Sequence, residues 1–126
     1  MAEMIKLSKV NKTYGSGDLR TQVLFDVDLA FEEGSFNSII GASGSGKTTL
    51  LNLIGTLDKP DSGEVSIAGQ RVDNMKRDRL AVLRNETLGF VFQFHYLLPE
   101  FTAMENVLMP SLIAGKGAGK EAKERA

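Results

Sequence analysis

Eight consecutive residues, Gly41-Ala42-Ser43-Gly44-Ser45-Gly46-Lys47-Thr48, match the phosphate-cradling pattern G-x-x-x-x-G-K-[ST] at every fixed position. The chemistry explains the spacing. A triphosphate is a cluster of anionic oxygens, and only a tightly curled backbone aims several N–H groups at it together. Gly41, Gly44 and Gly46 permit that curl, because a Cβ obstructs the angles and close approaches it needs, and the exposed amides form an anion-binding nest. Ala42, Ser43 and Ser45 complete the candidate nucleotide-binding loop. Lys47 supplies an ammonium for the β- and γ-phosphates. The Thr48 hydroxyl is a hard oxygen donor for magnesium, and Thr49 is placed to hold the α-phosphate side.

Such a loop works only between a strand and a helix. Phe36 to Ile40 is a short, partly apolar run after the turn-like Glu33-Gly34 and is expected to be that strand. Thr48 to Ile54 carries leucines at helical spacing, with Gly55 and Pro60 as stop signals. The helix then starts at the loop, and its unpaired first-turn amides and positive dipole end face the phosphates. The alternative is a glycine-serine turn without ligand, but a flexible linker has no reason to carry Lys-Thr at this junction. Gly115 to Lys120 imitates the motif and fails it: Ala114 stands where the first glycine is required and Glu121 where a hydroxyl is. That stretch reads as a linker or the start of a helix.

Composition narrows the class. The chain has 126 residues, 42% hydrophobic, with a mean hydropathy of -0.10, enough for one domain with a real core and too apolar for a disordered chain. Net charge is -1 and the charges are interspersed, so no broad basic surface speaks for nucleic acid. The run Lys76-Arg77-Asp78-Arg79 reads as a solvated helix face. With no cysteine there is no disulfide framework and no thiolate metal site, and His95, a lone histidine, cannot build a zinc site. No stretch approaches about 18 uninterrupted apolar residues, and the first residues lack the order of a signal peptide. A membrane role therefore runs through a partner.

The positioning elements follow from periodicity and turns. Ile5 to Tyr14 and Gln22 to Phe31 alternate as strands joined by Gly15-Ser16-Gly17-Asp18. Lys59 to Gly63 is a turn, Glu64 to Ala68 a strand, and Gly69-Gln70 turns back toward Arg71-Val72. Asn74 is expected to cap a helix to about Arg84, and Leu88 to Gln93 to form a compact apolar strand. Thr102-Ala-Met-Glu105 has capping-box spacing and opens a helix to about Met109, where Pro110 marks a break or a new start. The fold class is α/β, a phosphate-loop NTPase with a β-rich opening before the loop. Gln93, at the end of its strand, offers a carboxamide oxygen to magnesium and an amide to an attacking water; the other reading is a half-exposed polar residue.

The segment Phe90-Val-Phe-Gln93-Phe-His-Tyr-Leu-Leu-Pro99-Glu-Phe-Thr-Ala-Met-Glu105-Asn106-Val107 closely resembles the Q-loop region of ATP-binding cassette (ABC) transporter ATPases. Tyr14, the loop Gly41 to Thr48 and Gln93 stand in that family's order, and the resemblance covers nearly the whole chain. Phe92 to Val107 is similar to the lipoprotein-releasing type, with the macrolide-export type next, and Leu57 to Gly63 agrees. The resemblance implies an ABC-type nucleotide-binding domain in which ATP and Mg2+ are bound, Tyr14 stacks on adenine, and Lys47 and Gln93 serve hydrolysis with Thr48 and Gln93 at the metal. Tyr14 read alone is equally an ordinary strand aromatic. It also implies a homodimer of ATP-binding subunits and a groove after Gln93 that receives a helix of membrane permease subunits. Phe94, Tyr96, Leu97, Leu98 and Phe101 line that groove or belong to the core. The implied location is peripheral, on the cytoplasmic side of the bacterial inner membrane.

The pattern is incomplete in these residues. The Leu-Ser-Gly-Gly-Gln signature, the Walker B strand with its acidic pair and the switch histidine do not occur; Val23 to Asp26 imitates Walker B but precedes the loop, and His95 lies too near Gln93 to be the switch. Asn37 and Ser38 are polar where the family strand is more apolar. The expectation is therefore the N-terminal part, 1–126, of one ABC ATP-binding domain, ending in the helix-compatible Lys120 to Ala126 and hydrolysing little by itself. The alternatives are another ABC exporter ATPase or a nucleotide-binding interaction module without turnover. A third alternative is a small GTPase or small-molecule kinase, against which stands the absence of Asn-Lys-x-Asp and Asp-x-x-Gly from these residues.

Overall fold

The computed structural model describes residues 2–94, 96–115 and 120–125, with backbone alone for 120–122. Two compact units result, Met1–Lys76 and Arg77–Ala126. His95 and the centre of the Gly115 to Lys120 stretch lie outside the described residues.

In the first unit, strands β1 (Glu3–Tyr14) and β2 (Thr21–Glu32) pair antiparallel, joined through a 3-10 turn at Gly17–Leu19. Strand β3 (Ser62–Ile67) pairs with the other edge of β1 and turns into the short β4 (Gln70–Arg71), giving the antiparallel order β2-β1-β3-β4. Both expected strand pairs are present, each within two residues of its expected limits. Leu7, Val10, Leu24, Val65, Ile67 and Val72 are buried, and the helix α1 (Lys47–Ile54) buries Leu53 and Ile54. Val65 and Ile67 keep the two-residue period of a half-buried strand.

Leu7 and Val10 break that period because β1 bulges between them. Lys9 and Asp26 there have positive φ, 51° and 44°. Asn11 holds the distortion: its Nδ2 donates to Lys9 O at 3.1 Å, Asp26 Oδ1 at 3.0 Å and Ser62 Oγ at 3.1 Å, and its Oδ1 accepts from Asp26 N at 2.9 Å. Gly63 faces the bulge with φ 91°, where an added Cβ would run into the Lys9 carbonyl.

Phe36–Ile40, expected as a strand, is irregular instead, with Phe36 98% and Ile40 93% exposed. A strand exists through its ladder, and none of the four described strands pairs with this run. Local polar contacts take over, as Asn37 Nδ2 donates to Ser35 Oγ at 2.7 Å and Ser35 Oγ to Glu32 O at 2.6 Å. Leu88–Gln93 is corrected likewise: it is irregular, and Val91 is fully exposed. Apolar alternation reports what a segment can pair as, and not whether an edge is available.

In the second unit, α2 (Arg77–Thr87) buries Leu80 and Leu83. It starts three residues after the expected cap at Asn74 and runs three past Arg84. The delay has a cause: Asp73 Oδ1 accepts from Val65 N at 3.0 Å and Val72 N donates to Val65 O at 2.8 Å, so residues 72–74 close the β3–β4 hairpin. Helix α3 (Ala103–Ile113) has both capping-box bonds, Glu105 N to Thr102 Oγ1 at 3.1 Å and Thr102 N to Glu105 Oε1 at 2.9 Å. It runs through Pro110 rather than breaking there. The ring costs one N–H, but its carbonyl stays engaged, by Ala114 N at 3.1 Å and by Asn85 Nδ2 at 2.9 Å. A last helix, α4, spans Lys120–Arg125.

Candidate functional site

The loop before α1 has the curl its sequence demands. Gly44 and Gly46 have φ of 80° and 98°, and Gly46, in the left-handed region, is the N-cap of α1 with no side-chain cap. The first-turn amides therefore lack the partner that Ser, Thr, Asp or Asn provides at most helix starts, and this is the arrangement an anion completes. A Cβ on Gly46 would press on Val23 Cγ1 at 3.2 Å and Leu24 Cδ2 at 3.3 Å, so β2 sets the height of the loop. Ser45 N donates to Ala42 O at 3.1 Å and closes the turn.

Lys47 folds back over this turn. Its Nζ donates to Gly41 O and to Ala42 O, each at 2.7 Å, and lies 3.4 Å from Ser45 Oγ. The ammonium is thereby stationed at the mouth of the loop, on a helix anchored at its other end by buried Leu53 and Ile54. Thr48 is exposed at the second position of α1, and Ala42, Ser43, Gly44 and Ser45 are exposed in the loop.

Tyr14 closes β1 in the same unit. Its ring is 39% exposed, its hydroxyl donates to Asp58 Oδ2 at 2.9 Å, and the Lys12 ammonium sits 5.1 Å from the ring centroid. Burial, then the bond to Asp58, pushes the phenol above its ordinary value, so it remains a donor. Burial raises the Asp58 carboxyl as well, but bonds from the Tyr14 hydroxyl, the Lys59 N–H and the Lys12 ammonium outweigh it and hold Asp58 below the usual carboxylate range. Sequence reading missed Lys12 and Asp58. The available signal was that Lys12 and Tyr14, two apart on one strand, share a face; nothing marks Asp58 in advance.

Gln93 belongs to the second unit, exposed at a bend. Around it Phe90 and Phe92 stack with centroids 5.4 Å apart and planes at 3°, Phe92 meets Tyr96 edge-on at 5.0 Å, and Phe94 meets Tyr96 edge-on at 6.4 Å. Phe94, Tyr96, Leu97, Leu98 and Phe101 are all exposed within these residues. The turn beyond them is fixed by Asn106, which accepts from Leu98 N at 2.8 Å and donates to Thr102 O at 2.9 Å. Among the described residues no cluster of His, Cys, Asp or Glu is arranged to hold a metal ion.

The family model described as "ABC transporter" matches residues 24–126. The chain belongs to the ABC transporter family. It is 54% identical over 123 residues to the "Lipoprotein-releasing system ATP-binding protein LolD" of Bacteroides thetaiotaomicron, covering 98% of this chain and 54% of that protein. It is 52% identical over 113 residues to the protein of the same name from Shewanella oneidensis, covering 90% and 49%. Among solved structures it is similar to the ATP-binding cassette MJ0796, in a dimeric post-hydrolysis state bound to ADP and Pi, with a TM-score of 0.89 and 45% identity over 97% of this chain and 53% of that one. The chain spans about half the length of the relatives it matches. The α/β phosphate-loop fold with its β-rich opening, of the ABC type that the resemblance implied, is thus the fold of this chain.

Proposed function

We propose that this ABC-family chain contributes to an ATP-binding subunit of a transporter, and that residues 1–126 are the N-terminal part of its single ATP-binding domain. The observation that carries the reading is the uncapped helix start at left-handed Gly46, with Lys47 stationed above it. Backbone amides of Gly44 to Thr48 hold the β-phosphate, with Gly41 to Ser43 completing the cradle, while the Lys47 ammonium moves from two neutral carbonyls to the more strongly attracting β- and γ-phosphate oxygens. Thr49 supports the α-phosphate side and Tyr14 carries the adenine by stacking, which reads the base loosely.

Magnesium is a hard cation that oxygen donors would hold: Thr48 would offer its exposed hydroxyl and Gln93, in the complete domain, its carboxamide oxygen, and the ion would neutralise charge on the transferring phosphoryl group. Lys47 stabilises the same charge and Gln93 orients the attacking water, since phosphoryl transfer depends on positioning and electrostatics. Turnover belongs to the complete domain, where two such subunits form a homodimer; the dimeric MJ0796 cassette supports that assembly.

The exposed aromatic array after Gln93 suits docking of a helix from a membrane permease. Among the described residues no helix is long and apolar enough to cross a membrane; the relatives named for lipoprotein release support a peripheral subunit on the cytoplasmic side of the bacterial inner membrane. The relatives named for lipoprotein release favour that cargo over macrolide export. Calorimetry with Mg-ATP on the chain and on Lys47→Ala tests the reading. Affinity should fall about 100-fold in the variant, the loss of charge-assisted bonds of about 3 kcal/mol. Equal binding by both proteins would overturn it, and a phosphate-release assay separates a binding module from an ATPase.

A further inference from the structure

We propose that Lys12 and Asp58 are positioning residues for the nucleotide base: they fix the Tyr14 ring as a stacking platform and join it to the chain leaving the phosphate-loop helix. The inference rests on the reading of Tyr14 as the base-stacking residue and goes beyond it.

An aromatic ring at the end of a strand is free to turn about its side-chain bonds unless something holds it, and a mobile ring loses part of its stacking energy to ordering entropy. Tyr14 is held twice. Its hydroxyl is bonded to Asp58 Oδ2 at 2.9 Å, and the Lys12 ammonium lies 5.1 Å from its centroid. With one face backed by the cation and 39% of the residue exposed, the opposite face is the one offered to a planar partner.

The holders are themselves held. Lys12 is only 9% exposed, and a buried ammonium must be paired. Its Nζ donates to Lys59 O at 2.8 Å and to Asp58 Oδ1 at 3.3 Å, with Asp61 Oδ1 at 3.9 Å. Asp58 Oδ1 also accepts from Lys59 N at 2.8 Å. Asp61 Oδ2 accepts from Thr13 N at 2.6 Å and binds the same turn to β1. Asp58 N lies 3.3 Å from Asn52 O, within the last turn of α1. One short segment thus grips both the strand that ends in Tyr14 and the helix that begins at Lys47, so base platform and phosphate loop are set relative to each other through Asp58.

A strap that merely stabilises the unit affects every ligand alike, whereas a base-positioning device affects only ligands with a base. Calorimetry with Mg-ATP and with magnesium tripolyphosphate separates the two, on the protein and on Asp58→Asn, Tyr14→Phe and the double variant. ATP affinity should fall roughly three- to tenfold in Asp58→Asn, the range of one hydrogen bond, with tripolyphosphate affinity unchanged. Tyr14→Phe deletes one hydroxyl, keeps the ring and gives a loss of the same kind, so it decides the question even where Asp58→Asn lowers stability. The double variant should lose no more than the larger single loss, since both act through one bond. Equal losses for both ligands, additive losses in the double variant, or no loss of ATP affinity would overturn the proposal. A parent protein that binds tripolyphosphate as tightly as ATP, unaffected by either substitution, overturns the base platform alone; one that binds neither ligand overturns the nucleotide reading and this one with it.

Discussion

The loop from Gly41 to Gly46 is held from outside, with β2 beneath Gly46, two loop carbonyls on Lys47 and a helix behind it whose far end is buried. Residues Leu88 to Phe101 are held mainly by one another, ring against ring, with Asn106 pinning the turn at their end. The first arrangement leaves an exposed polar loop with an uncapped helix start behind it, suited to an anion. The second leaves an exposed apolar surface of large side chains. On the proposed reading, the first region meets a small ligand of fixed geometry and the second a large partner.

The contrast breaks most visibly in stability. Gly63→Ala forces a Cβ onto the Lys9 carbonyl at φ 91° and should cost about 3 kcal/mol, read as a lower urea midpoint. Val91→Ser, at a fully exposed position of the aromatic segment, should cost under about 0.5 kcal/mol. A comparable loss at Val91 would mean that the segment is buried as a strand after all, and the comparison would fall.

A middle-sized effect is expected at the border of the second region. Thr102→Ala removes the side-chain acceptor for Glu105 N and should destabilise α3 by about 1 kcal/mol. Hydrogen exchange should quicken at the amides of Glu105 and Asn106 and stay unchanged in α1; exchange rising equally in both helices would deny the two regions their separate supports.

The smallest effect is a pH dependence confined to the first unit. Burial raises the Asp73 carboxyl, but the Arg71 guanidinium, bonded at 2.5 Å, and the Val65 N–H outweigh it, so Asp73 lies below the usual carboxylate range. A lowered folded value means stability that is fully present above the ordinary value of about 3.9 and is lost as pH falls through the folded one. The difference in urea midpoint between the protein and Asp73→Asn should therefore be constant at neutral pH and shrink below about pH 4. A difference that grows on acidification would reverse the sign and refute the pairing.

How much of this was legible in the sequence depends on the range of the restraint. The phosphate loop and the capping box at Thr102 are written in eight and four consecutive residues, because their partners are their own backbone neighbours, and both are present. The β1–β2 and β3–β4 hairpins were legible because the connecting turns lie between their strands. Phe36–Ile40 and Leu88–Gln93 have the composition of strands, but ladder partners are remote in sequence, and no local pattern reports whether an edge meets them. The delayed start of α2 has the same origin, since Asp73 is engaged with Val65 across a hairpin rather than with the helix ahead. The Lys12–Asp58–Tyr14 arrangement joins residues 44 to 46 positions apart and was invisible for that reason.

On the proposed reading, Gly44 to Thr48 form a preorganised anion site at the start of α1. Backbone amide chemical shifts of the protein recorded as Mg-ATP is added test it most directly. Large, saturable shifts are expected at Gly44, Ser45, Gly46, Lys47 and Thr48, absent in Lys47→Ala at the same concentration. Amides of the loop that stay in place while ATP binds elsewhere, or that do not respond at saturating nucleotide, would contradict it.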